Sequence, residues 1–228
     1  MVMLRGKTIR IGYNSEMFSC YFSAVGMNRP AAVVLHAWWG LNIFIREFCD
    51  RLAGEGFSCI APDLYRGRTA STVEEAEALR AKLNRKEAFR KINVTLDYLL
   101  RFQRPPGGKV AVVGFSLGSH FALDFSSARG EVKAVVTFYG TSPTRQWKKS
   151  EAAYLGHFAE KDPYESATDV LSVEKRLKSA GKSVKFYTYP NTGHWFLESD
   201  RRDAYNRAAS ALAWKRTVEF LRTTLGDG

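Results

Sequence analysis

The 228-residue sequence lacks several features, and each absence removes a class of protein. Its three cysteines, Cys20, Cys49 and Cys59, are an odd set without CxxC spacing, which argues against a disulfide framework and a zinc site. Three reduced, buried thiols and no metal are expected instead. Long hydrophobic runs are missing too. The longest, residues 31–41, is interrupted by His36 and falls well short of the roughly 18 residues that a membrane span requires, so no transmembrane helix and no membrane partner are expected. The first residues alternate charged and apolar positions (Arg5, Lys7, Arg10) without the apolar block of a secretory signal, and the expected location is cytoplasmic. Neither GxGxxG nor GxxxxGK[ST] occurs, which leaves a phosphate-cradling loop unsupported. With no repeat, low-complexity tract or second composition regime, one domain is expected over residues 1–228.

What is present describes a globular chain. Hydrophobic residues make up 45% and charged residues 25%, enough for a real core and too apolar for disorder. Lys and Arg number 34 against 23 Asp and Glu, a net charge of +11 spread over both halves rather than gathered in a tail. Such an excess raises nucleic-acid binding. No helix-turn-helix, zinc or RNP pattern accompanies it, so the expected partner is a small molecule and not a nucleic acid, with the chain a monomer or weak homodimer. The basic cluster Arg80, Lys82, Arg85, Lys86, Arg90 and Lys91 reads first as a solvated helix face with Glu74, Glu75 and Glu77 as partners, and second as a positive rim drawing in anionic esters.

Along the chain, residues 7–12 and 17–24 read as an antiparallel hairpin turning at Asn14-Ser15. From Ala31 the pattern changes to apolar runs alternating with helical periodicity. Strands are expected over 31–35, 57–61, 109–114, 132–138, 152–158 and 183–189. Helices are expected over 42–55, from Leu117, over 168–180 and over 203–225. A charged segment, 71–102, repeats apolar residues at helical spacing until Pro105-Pro106-Gly107-Gly108 stops it. Continuous apolar strands separated by amphipathic helices predict an α/β fold: a mostly parallel sheet with helices on both faces and an antiparallel N-terminal hairpin.

Gly114-Phe115-Ser116-Leu117-Gly118 matches G-x-S-x-G with a strand directly before it and a helical run directly after it. That context predicts a nucleophile elbow, a sharp turn exposing the Ser116 hydroxyl and crowded enough to need glycine on either side. A serine hydroxyl is a weak nucleophile at neutral pH and needs a base, which in turn needs an orienting carboxylate. His194 follows the strand 183–189, and Asp162 follows the strand 152–158, so all three would meet at one sheet edge. His36, His120 and His157 compete for the first role, and Glu160 and Asp169 for the second. Asp169 reads better as part of a helix start. The oxyanion hole is expected from the backbone N–H groups of Leu117 and of Trp38, in the loop His36-Ala37-Trp38-Trp39-Gly40. Tyr65, Trp38, Trp147, Trp195 and Phe196 are candidates for an apolar acyl pocket, with His36 and Ala37 beside them.

These segments resemble the dienelactone hydrolase family of α/β-hydrolases. The similarity runs through residues 36–42, Ala61-Pro62-Asp63-Leu64-Tyr65-Arg66-Gly67, the elbow, Phe138-Tyr139-Gly140, Gly193-His194-Trp195-Phe196 and the final stretch 211–221. The resemblance implies a Cys or Ser, Asp, His triad, no cofactor, and hydrolysis of lactones or other carboxylic esters. Two departures stand out. Well-known members carry a Cys nucleophile and a Glu in the loop after the third strand, where this sequence has Ser116 and Ala37. A serine deprotonated only during attack needs no resting anion, and a carboxylate there would oppose the oxyanion. Four residues beyond the histidine, where the family's lactone enzymes place a carboxylate-binding arginine, stands Glu198. Arg201, Arg202 and Arg80 are the remaining candidates for that task.

Overall fold

The structure, a computed structural model, describes residues 6–13, 16–143 and 147–226. Eight strands form one sheet in the order β1-β2-β4-β3-β5-β6-β7-β8. β1 (Lys7–Tyr13) and β2 (Glu16–Ser23) are the expected hairpin, with Ile9 opposite Cys20; the turn expected at Asn14-Ser15 lies outside the described residues. β2 runs antiparallel to β4 (Ser58–Pro62), and every later pairing is parallel.

β3 (Ala31–Leu35), β4 and β5 (Val110–Phe115) are buried at every position. Their small and β-branched side chains serve two cores at once, one on each face of the sheet. Phe48 of α1 (Ile43–Gly54) packs edge-on against Phe115 and Trp214 on one face; Leu96 and Ile92 of α3 (Arg85–Tyr98) close the other. All three cysteines are free and buried, and burial pushes the Cys20 thiol up to about 12, so these thiols stay protonated and inert. Among the described residues no helix is long and apolar enough to cross a membrane.

The charged segment 71–102, with its helical spacing of apolar residues, holds two helices. α2 (Val73–Ala81) opens with a capping box, the Thr72 hydroxyl accepting from the Glu75 N–H while the Glu75 carboxylate reaches back; α3 opens with the Asn84 side chain accepting from the Glu87 N–H. A π-helical turn (Leu99–Gln103) ends the segment before Pro105. Three of its basic residues have partners other than Glu74, Glu75 and Glu77: Arg85 pairs with Asp124, Arg90 with Glu16, and buried Lys91 donates to the Asp63 carbonyl and meets Glu87. α4 (Leu117–Phe125), β6 (Val132–Phe138), β7 (Ala153–Lys161), α5 (Ala167–Ser179) and β8 (Val184–Gly193) follow as expected, β7 and β8 running on to the site. The last helix, α6 (Arg207–Leu225), begins four residues later than its pattern suggests, because the Asn206 side chain caps it by accepting from the Ala209 N–H.

Candidate active site

The site begins at the end of β5. Between that strand and α4, Ser116 sits at φ 48° and ψ −110°, a conformation that costs an L-residue energy and holds its hydroxyl off the helix end. Glycine flanks it for steric reasons: a Cβ on Gly114 would collide with the Gly118 carbonyl, and one on Gly118 with the Leu35 carbonyl of β3. The elbow therefore folds tightly on itself and presses against the end of β3.

β7 and β8 deliver the other two groups. Asp162 follows β7 directly, and its Oδ1 accepts from the backbone N–H groups of Tyr164 (2.9 Å) and Glu165 (3.1 Å). Oδ2 is left to face His194 Nδ1 at 2.7 Å, and His194 Nε2 lies 2.9 Å from the Ser116 hydroxyl. An ionised Asp162 only accepts, so it fixes the tautomer with the proton on Nδ1, and Nε2 presents a lone pair to the serine. The side chains of His194 and Asp162 are 3% and 2% exposed, which keeps water from competing for this chain of bonds. Two of the other histidines are engaged elsewhere. Buried His36 donates from Nδ1 to the Ala37 carbonyl and accepts at Nε2 from the Leu64 N–H; buried His157 lies between the Tyr189 and Thr217 hydroxyls. Glu160 accepts from the Asn191 N–H, and Asp169 stands in the capped first turn of α5.

Leu117 is the first residue of α4, so its N–H has no partner within the helix. It and Trp38, in the turn between β3 and α1, line the same cavity of about 200 Å³ as Ser116 and His194. Arg80 of α2, His120 of α4, and Tyr164 and Glu165 after β7 complete it. His120 Nε2 is 3.5 Å from Glu165, whose other oxygen accepts from the Thr141 N–H and hydroxyl. Of the side chains nominated for the acyl pocket, Trp195 stacks on Trp38 and abuts His194. His36, Ala37, Tyr65, Trp147 and Phe196 do not line this cavity: all five are core, His36 against Tyr65, Phe196 against Tyr139 and Tyr189, and Trp147 beneath Arg176. Arg201 is stacked 3.4 Å over the Trp39 ring and Arg202 is exposed away from the cavity lining, so Arg80 is the guanidinium at the cavity.

Sequence reasoning missed Tyr164 and Glu165, and passed over Tyr139 and Glu198 as site residues. The first pair has a readable signal, since Asp162-Pro163 must turn and the turn's N–H groups hold the carboxylate. Two clefts of about 490 and 480 Å³ surround Arg66 and Glu87 and contain no part of this triplet, whereas one of about 380 Å³, lined by Tyr164, His194 and Trp195, borders it on the histidine side. Among the described residues no cluster of three His, Cys, Asp or Glu is placed to hold a metal ion.

A mostly parallel eight-stranded sheet with a serine turn after its central strand, and acid and histidine after two later strands, is the α/β-hydrolase fold. The model of the dienelactone hydrolase family matches residues 20–225, and the chain belongs to that family of hydrolases. It is 29% identical over 229 residues to the protein named "Putative carboxymethylenebutenolidase" of Aquifex aeolicus, covering 96% of this chain and 99% of that one. Its fold matches a dienelactone hydrolase-like promiscuous phosphotriesterase from metagenomic libraries (TM-score 0.85, 20% identity, 97% and 98% of the two chains). It also matches part of the acylaminoacyl peptidase of Pyrococcus horikoshii (TM-score 0.76, 14% identity, 98% of this chain and 42% of that one).

Proposed function

We propose that the protein is a serine hydrolase that cleaves small carboxylic esters or lactones through an acyl-enzyme. The observation that carries this reading is the continuous pair of hydrogen-bond contacts, 2.9 Å from Ser116 to His194 and 2.7 Å from His194 to Asp162. His194 takes the Ser116 proton as the hydroxyl oxygen attacks the carbonyl carbon, and Asp162 stabilises the imidazolium that results. The negative charge that moves onto the carbonyl oxygen is met by the N–H groups of Leu117 and Trp38. Collapse breaks the bond to the leaving alkoxide, which receives the proton from His194; water then attacks the acyl-enzyme with His194 again as base and frees Ser116.

The cavity of about 200 Å³ beside Ser116 suits a small acyl group, and the cleft of about 380 Å³ on the other side of His194 leaves room for the leaving group. Arg80 adds a preference for substrates bearing a negative charge. Burst kinetics with short p-nitrophenyl esters, together with mass spectrometry of a fluorophosphonate adduct, tests the assignment: one equivalent of nitrophenol and a label on Ser116 support it. Unaltered turnover by Ser116→Ala refutes it.

A further inference from the structure

Behind the His194 imidazole lies an arrangement that the reaction as written does not use. Glu198 is 1% exposed, in the turn between β8 and α6. Its Oε1 accepts the Tyr139 hydroxyl at 2.9 Å, and its Oε2 is buried with no hydrogen-bond partner among the described residues. Tyr139 is itself fully buried and held at φ 39°, a strained value for a residue with a side chain, with its N–H donating to the His157 carbonyl at 2.7 Å. Its ring lies against His194, with centroids 5.0 Å apart, and against Phe196 at 5.7 Å. The phenol is thus clamped at its backbone by β7 and at its hydroxyl by Glu198, and the clamped face is a wall of the imidazole.

We infer that Glu198 is a positioning residue for the hydrolysis, acting through Tyr139: by holding the phenol it fixes the imidazole plane that must point at Ser116, and it does so as a neutral acid. This rests on the triad reading above. Ionised, this buried carboxyl would carry charge on an oxygen that no donor meets, which favours the protonated form. Burial moves it from the ordinary 4.5 to about 8, with Asp200 pushing in the same direction and the Tyr139 bond and Arg201 opposing. The charged and titratable groups facing it are Tyr139 beyond β6, Asp200 and Arg201 in its own turn, and His194 with Asp162 across the Tyr139 ring. As pH rises through about 8 the carboxyl ionises, the charge demands water, and the turn that holds the phenol loosens.

The test is kcat and KM for a neutral p-nitrophenyl ester between pH 5 and 9.5 in wild type, Glu198→Gln, Glu198→Ala and Tyr139→Phe, with Ser116→Ala run alongside. Glutamine keeps an acceptor for Tyr139 and cannot ionise, so kcat at pH 7 stays within about threefold of wild type and the fall in activity near pH 8 disappears. Alanine removes the acceptor and phenylalanine the donor; each lowers kcat about tenfold and leaves KM within about twofold, the signature of a misaligned base rather than a damaged binding site. An alkaline fall that persists in Glu198→Gln, or wild-type kcat in Tyr139→Phe, overturns the inference even if Glu198→Ala does not fold. Ser116→Ala separates the two readings: its full activity removes the triad, whereas its inactivity beside unaffected Glu198 and Tyr139 variants removes only the positioning role.

Discussion

At the scale of single residues, part of the backbone strain sits where the chemistry is. Of the seven non-glycine residues at positive φ among the described residues, three, Ser116, Tyr139 and Trp195 at 48°, 39° and 66°, touch His194. A conformation that the local sequence disfavours survives only where surrounding contacts over-determine it. Ser116→Ala should reduce kcat by about 10³-fold or more while KM changes little, read by steady-state hydrolysis of p-nitrophenyl acetate. Asp162→Asn should fall by about 10⁴-fold, because an amide at that place can donate to Nδ1 and favours the tautomer with the proton on Nε2, which cannot accept from serine. Wild-type rates in Asp162→Asn would transfer the orienting role elsewhere. Ser116, Asp162 and His194 were readable because each follows a strand, where a parallel sheet presents side chains at its C-terminal edge. Glu198 and Tyr139 were not readable as partners, since 59 positions separate them and only the closed fold brings them together.

At the scale of elements, the central strands were legible and the helix boundaries less so. β3, β5 and β6 consist mostly of apolar residues buried at nearly every position, a pattern that little else imitates. Between residues 71 and 102 the apolar spacing continued across a break, and only the cap residues Thr72 and Asn84 disclosed that two helices begin there. α2 carries Arg80 to the cavity, so its capping box bears on substrate choice as well as stability. Thr72→Ala should cost about 1 kcal/mol in urea unfolding. Arg80→Ala should raise KM about tenfold for an ester bearing a carboxylate and leave a neutral ester within about twofold; equal effects on both substrates would mean that the guanidinium does not meet the substrate's charge.

At the scale of the whole molecule, two buried groups set opposite limits on stability. Burial depresses His157 from 6.5 to about 3, with the Arg216 charge adding to it. Its contribution is complete above 6.5 and is lost as pH falls toward 3. Glu198 is raised, so the folded chain keeps a proton that the unfolded chain releases; its contribution is complete below 4.5 and is lost as pH rises toward 8. Burial depresses His36 in the same direction as His157, so the opposing trends do not cancel between 4.5 and 6.5. Above that window Glu198 is the group that lowers the melting temperature, and Glu198→Gln should remove the decline between pH 6.5 and 8. A decline of unchanged slope in that variant would assign it to other groups.

The order of the strands has a further consequence, for how the protein fails. Ser116 is anchored to β5, which lies mid-sheet and is buried throughout, while His194 hangs from β8, the last strand, paired on one side only and largely accessible to solvent. Amide deuterium uptake should be faster along β8 than along β5, since opening the edge exposes little of the core. On gentle warming, then, the base should part from the nucleophile while most of the molecule is still intact, and catalytic inactivation should precede calorimetric melting.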